Sequence, residues 1–261
     1  MYATLGGLIK DFRLQKNISQ LEIAFALGWK EPSRLSRIEQ GRVGRPKREL
    51  INRIMNAMKL SYQERNNLLY AGGYLPEDIE LADIRKTLKK TMADWPYPLV
   101  AYDAAWRIVD FNNPAAAVYK FDKTIGRDPR KAQTNLIEFI FHPANPQNKH
   151  LQDVEEKNRH GLLKSILIQF LHATRASTQE KWYKALIQQM MGNKLFNKLW
   201  KEVQGASLPQ NMVHRSDDVA VHPGDPKKRL IFTSFTMALM DNPRFFLIYS
   251  TPADEPTMRF F

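Results

Sequence analysis

Over the first 75 residues the apolar side chains recur at helical spacing, but glycine and proline interrupt them too often for any long helix. Leu5, Leu8, Ile9 and Phe12 stand at i, i+3, i+4 and i+7, one stripe of a first helix that ends near Asn17. Ser19 and Glu22 then form a Ser-x-x-Glu capping box, in which each side chain accepts from an otherwise unpaired backbone N–H. Ile23, Ala24 and Leu27 make the buried face of this second helix, and Gly28 stops it. Pro32 suits the first turn of a third helix, where its missing N–H has no intrahelical partner, and Gly41 suits the left-handed position just past its end. Leu35 and Ile38 point inward, which leaves Ser33, Arg34 and Arg37 on the solvated face. Leu50, Ile51, Ile54, Met55 and Met58 mark a fourth helix, and Ser61 with Glu64 caps a fifth that carries Leu68 and Leu69. The expected result is a compact all-α bundle of five short helices.

Charge says what such a bundle meets. Residues 1–74 hold thirteen Lys and Arg against six Asp and Glu, a surplus of seven out of a net +12 for the 261-residue chain. A basic bundle of this size calls for a polyanionic partner, and two helices joined by a tight glycine-containing turn, the second with a basic face, call for duplex DNA.

The strings Ser19-Gln-Leu-Glu-Ile-Ala-Phe-Ala-Leu-Gly28, Ser36-Arg-Ile-Glu-Gln-Gly41 and Arg45-Pro46 resemble the Cro/C1-type (XRE) helix-turn-helix family over about residues 4–60. The resemblance implies a phosphate contact at Gln20 and base-edge readout from Pro32, Ser33 and Arg37. Pro32 departs from the family pattern because it cannot donate a hydrogen bond to a base, so readout falls on Ser33 and Arg37, with Arg34 open between base and phosphate. The turn Trp29-Lys-Glu31 is one residue longer than the commonest form, which leaves that register open by one. Arg37 has the chemistry for bidentate bonding to guanine O6 and N7, and Arg42, Arg45, Lys47 and Arg48 are expected to clamp phosphates.

Ala71-Gly-Gly-Tyr-Leu-Pro76 ends the first domain, 1–75, and a linker helix over 76–95 carries Ile84, Leu88 and Met92 on one face. The remainder, 96–261, reads as an α+β domain. Strands are expected at Tyr97–Asp103 and Trp106–Phe111, then a helical middle, then strands at Val219–His222, Arg229–Ala238 and Arg244–Thr251. Helices would cover one face of a five-stranded antiparallel sheet, an arrangement that resembles the PAS fold.

Further strings occur in one order along the chain: Ala71-Gly-Gly-Tyr-Leu-Pro76, Asn112 with Ala115 to Ala117, Asn135-Leu-Ile-Glu-Phe-Ile-Phe-His-Pro143, Leu195-Phe-Asn-Lys-Leu-Trp200 and Tyr249-Ser-Thr-Pro252. With them the chain resembles the MmyB-like transcription regulators, in which this helix-turn-helix precedes a PAS-like sensor. That resemblance implies an apolar ligand of the fatty-acid class. The sequence itself supplies 14 Phe, 10 Met and 5 Trp as lining, with Phe139, Phe141, Trp182, Phe196 and Trp200 as candidates, although for any one of them plain core is the leading reading.

Catalytic chemistry is missing from the pattern. His142, His150, His160, His172, His214 and His222 include no pair at metal-ligand spacing with a third ligand nearby, so no metal is expected. No phosphate-cradling glycine loop or Gly-x-Ser-x-Gly elbow occurs. Asp217-Asp218 are expected in an exposed turn, since neighbours on a strand would face opposite ways and could not share a substrate. A chain without cysteine can form no flavin–cysteine adduct, although a haem could in principle take one of the histidines. The sum is a non-enzymatic regulator with no cofactor beyond a bound fatty acid, cytoplasmic and without membrane insertion. It would act as a homodimer on double-stranded DNA, because two recognition helices must reach successive major grooves. The competing reading is an antitoxin-like DNA-binding protein whose larger domain grips a partner protein through an exposed apolar patch.

Overall fold

The computed structural model describes residues 4–148, 153–207, 215–225 and 227–261, so His150 and His214 lie outside the described residues. Contacts divide the chain into two compact units, one of Met1–Leu75 with Ala238–Arg244 and the other of Pro76–Met237 with Phe245–Phe261.

The first unit contains α1 (Leu5–Gln15), α2 (Gln20–Ala26), α3 (Ser33–Glu39), α4 (Arg48–Ala57) and α5 (Tyr62–Ala71). α1 packs on α3 and α5, and α2 on α3 and α4, around fully buried Ile9, Leu35, Ile51, Ile54 and Leu68. Both capping boxes are formed. The Ser19 hydroxyl accepts from the Glu22 N–H at 3.1 Å and the Glu22 carboxylate accepts from the Ser19 N–H at 2.6 Å. Ser61 and Glu64 repeat the exchange at 3.3 and 2.6 Å. Gly28 and Gly41 take positive φ, +76° and +66°, at the ends of α2 and α3. Past each, the next N–H reaches back, from Trp29 to the Ala24 carbonyl and from Arg42 to the Arg37 carbonyl, which satisfies helix-end groups at low strain only with glycine at the turn.

The Ser19 N–H, and then its hydroxyl, hold the Glu22 carboxyl below the usual carboxylate range. Its contribution is therefore complete above the ordinary glutamate pKa and fades as pH falls through the lowered one. Ser19→Ala is expected to cost about 1 kcal/mol, read as roughly fivefold faster amide exchange in α2 at neutral pH. The difference from the parent should shrink only slightly in acid, because alanine keeps the backbone N–H that chiefly lowers the Glu22 carboxyl.

The second unit opens with α6 (Asp78–Asp94), which buries Leu81, Ile84, Leu88 and Met92. Its strands are β1 (Leu99–Asp103), β2 (Ile108–Phe111), β3 (Arg215–Val221), β4 (Arg229–Ala238) and β5 (Phe245–Pro252), in the order β2-β1-β5-β4-β3. They form one five-stranded antiparallel, curled sheet. Between β2 and β3 lie α7 (Asn113–Tyr119), α8 (Phe121–Ile125), α9 (Leu136–Ile140), α10 (Asp153–Ala173), α11 (Lys181–Met190) and α12 (Lys194–Val203); α13 (Glu255–Met258) follows β5. Two expectations need correction. Asp217 and Asp218 lie inside β3, paired in register with Thr233 and Phe232, because the strand begins four residues earlier than its apolar part alone indicates. The sheet is also not covered on one face only: all five residues of β1 are buried, so both faces of that interior strand are covered.

The register sets the inner face. Val100 stands opposite Ile248 and Tyr102 opposite Phe246, whose rings stack at 5.2 Å. These side chains belong to one cluster with Phe170, Leu186, Phe196 and Trp200 from α10, α11 and α12. Asparagines, buried at 112 and 135 and half-buried at 193, pin the loops to this frame. Asn112 accepts from the N–H groups of Leu99 and Ala115 and donates to the carbonyls of Trp95 and Tyr97. Asn135 accepts from the Ile137 N–H and donates to Ala105, and Asn193 caps α12 while donating to Phe141. An amide is suited to these places because it satisfies a backbone donor and an acceptor together where water is excluded.

Candidate nucleic-acid interface and ligand-binding core

Glu39, on the buried stripe of α3 four residues after Leu35, organises the helix-turn-helix. Its carboxylate accepts from Arg13 Nε at 2.7 Å and Nη2 at 3.1 Å, and from Gln20 Nε2 at 2.7 Å. Arg13 also donates to the Ile18 carbonyl at 3.0 Å. One carboxylate thus ties α1, the start of α2 and the end of α3. Its hydrogen bond to Arg13 raises the guanidinium pKa against the opposing effect of burial. Gln20 Nε2 carries a second hydrogen besides the one it gives to Glu39.

The clasp presents the outer face of α3. Arg37 is exposed, and among the described residues its guanidinium makes no hydrogen bond or ion pair. Arg34 instead lies over the Trp29 ring, 4.7 Å from its centre, which limits its reach along a groove. The Ser33 hydroxyl donates to Glu31 at 2.7 Å, which leaves it acceptor lone pairs. Pro32 is the half-buried residue that precedes α3, with helical φ and ψ of −80° and −7°.

The four expected phosphate clamps divide into two kinds. Arg42 and Lys47 are exposed, Lys47 immediately before α4. Arg45 and Arg48 both lie over Tyr74, at 5.2 and 5.9 Å from its ring centre, and donate to the carbonyls of Gly73 and Leu75. Burial pushes the Tyr74 hydroxyl above its ordinary pKa in spite of these two cations, and it donates to the Pro46 carbonyl. Arg48, half-buried, therefore serves to fix the end of the bundle, whereas exposed Arg45 retains an outward side.

Sequence reasoning missed Trp29 and Arg53. With Arg34, Lys47 and Val43 they line an open groove of about 780 Å³ between α3 and α4. Arg53 donates to the Leu27 carbonyl at the end of α2, and its position on the polar side of α4 was its only sequence signal. The groove gathers three cations against one carboxylate, Glu49, a potential that suits a polyanion.

In the second unit the five ligand candidates fall together. Phe139, Phe141, Phe196 and Trp200 are buried in the main cluster, and Trp182 packs on its margin. Phe196 stacks on Trp200 at 5.2 Å and meets Phe141 edge-on at 5.3 Å, while Phe139 lies 4.6 Å from Phe121. No group of metal-binding side chains occurs among the described residues. Among them, too, no helix is long and apolar enough to cross a membrane.

Residues 4–68 match the family model of a helix-turn-helix domain. Residues 84–261, well over half of the chain, match that of the MmyB-like transcription regulator ligand binding domain. Among curated proteins the chain finds no match. The two matched domains make it a DNA-binding transcription regulator with a ligand-binding domain. The chain belongs to the MmyB-like transcription regulators.

Proposed function

We propose that the chain is a sequence-specific regulator that binds a pseudo-palindromic operator as a homodimer, with a PAS-like second domain that takes a fatty acid. The carrying observation is the exposed Arg37, without a side-chain partner among the described residues, two residues from the buried Glu39 clasp, since readout requires a donor fork on a rigid platform. Arg37 bonds to guanine O6 and N7, Ser33 contributes as an acceptor, and Gln20, Arg42, Lys47 and Arg53 set the register on phosphates. Arg34 sits with the phosphate group because its stacking on Trp29 turns it into the groove with Lys47.

The acyl-chain reading is supported by the composition of the main cluster. Aromatic rings from α9, α10 and α12 and the flexible Met190 and Met191 meet the Tyr102 and Phe246 face of the sheet, a wall able to repack around an apolar chain. Native mass spectrometry of the purified protein tests it: bound lipid, or saturable uptake of palmitate, is the expected result, and neither would return the domain to the partner-protein reading.

Arg37→Ala is expected to remove about 1–3 kcal/mol of discrimination at one base pair across an operator-variant series. Lys47→Ala should instead weaken binding to all variants alike and reduce the salt slope by about one. Unaltered base preference in Arg37→Ala would refute the readout assignment.

A further inference from the structure

Seven residues far along the sequence belong to the first unit: Ala238–Arg244, the last residue of β4 and its connection to β5. The Asn66 side chain on α5 donates to the Asp241 carbonyl at 3.0 Å and accepts from Arg244 Nη2 at 2.8 Å. Arg244 Nε donates to Asn242 at 3.2 Å, Asn242 donates to the Tyr62 hydroxyl at 3.4 Å, and Gln63 donates to the Met240 carbonyl at 3.4 Å. Tyr62, Gln63 and Asn66 thus hold the segment from α5.

The bonds made by Arg244 are buried, whereas that of Gln63 to Met240 lies at the surface. Arg244 is 0% exposed and Asn66 and Asn242 are each 3% exposed. Burying a guanidinium carries a desolvation cost that apolar residues of similar volume would avoid, so its use points to fixing one arrangement of the segment. Inside the first unit the arrangement continues to the DNA-binding face. α5 packs on α1, with Lys16 and Glu64 3.2 Å apart, and α1 carries Arg13, which holds Glu39 of α3.

We infer that Ala238–Arg244 is a coupling strap through which the order of β4 and β5 and the state of the DNA-binding helices bias each other. The inference rests on the DNA-binding reading above. Its physical basis is that the strap is folded into the first unit while its two ends are the direct continuation of β4 and β5, and β5 sets Phe246 and Ile248 against the aromatic cluster. A change in the sheet therefore cannot leave the strap's anchorage untouched, and by reciprocity DNA bound at α3 must alter the openings of β4 and β5.

Hydrogen exchange of the full chain tests this, with and without a duplex of about 30 base pairs that the wild-type protein has recovered from a randomised library. In the wild type the duplex should slow exchange in α3 and also, by about fivefold or more, in the peptides of β4 and β5. In Asn66→Ala, which improves helix propensity and removes the strap's anchor, α3 should still respond and β4 and β5 should not. Arg244→Met tests the same anchor from the strap's side, and Asn67→Ala on the same helix should behave as wild type. Slowing of α3 with no response in wild-type β4 and β5, or a response that persists in both anchor variants, overturns the coupling alone. Failure to recover or protect against any duplex overturns the DNA-binding reading, and the coupling with it.

Discussion

Glu39→Ala is expected to destabilise the first unit by about 3–5 kcal/mol, because it leaves the Arg13 guanidinium buried without its partner. The side chains of Arg13 and Glu39 are only 9% and 2% exposed, so water cannot take over the lost bonds. Gln20 loses its anchor in the same step. Set against the roughly 5–15 kcal/mol that holds a typical domain together, the loss consumes much of the stability of a five-helix bundle. Amide exchange in α1 and α3 should quicken by about two to three and a half powers of ten at neutral pH, and operator affinity should fall with the folded fraction. The double change Arg13→Met with Glu39→Leu separates the cost of a stranded charge from the worth of the pair, and it should restore most of the protection. Unchanged exchange in Glu39→Ala would show that the carboxylate does not hold the three helices.

That clasp also marks where the sequence stopped being readable. Helix limits in the first unit follow from local chemistry, and both Ser-x-x-Glu boxes and the stops at Gly28 and Gly41 act within a few residues of where they are written. Arg13 and Glu39 are 26 residues apart, and each alone resembles an ordinary solvated charge. A signal was present nonetheless: Glu39 lies in phase with Leu35 on the inward stripe, where a carboxylate needs a cation. For the same reason the stacking of Arg45 and Arg48 was not legible, since nothing local shows that Tyr74 comes to lie beneath them. In the second unit the strands were legible from β-branched and aromatic runs. Their order was not, because β1 pairs with β5 across most of the domain, Leu99 opposite Tyr249, and such pairing has no local mark. The asparagines in the family's strings now have a physical reason, as Asn112 and Asn135 each close a loop that no apolar residue could close.

Phe196→Ala is expected to cost the second unit about 3–5 kcal/mol, the usual range for removing a fully buried ring. Phe196 is 0% exposed, stacked on Trp200 with an 18° interplanar angle and edge-on to Phe141 at 86°, so its neighbours are themselves wedged and cannot collapse freely into the gap. Trp182→Ala, at the cluster's margin, should cost less. Urea unfolding followed by tryptophan emission reads both, since Trp200 reports the cavity directly. The same variant distinguishes a static core from a wall that yields to an acyl chain. If palmitate binds by prising the Phe141, Phe196 and Trp200 rings apart, the truncation penalises the empty form more than the filled one, and palmitate affinity must rise as stability falls. If the rings stay packed while the ligand lies elsewhere, stability falls and affinity holds. A stability loss below about 1 kcal/mol would contradict both, because it requires Phe196 to be largely solvated in the folded protein.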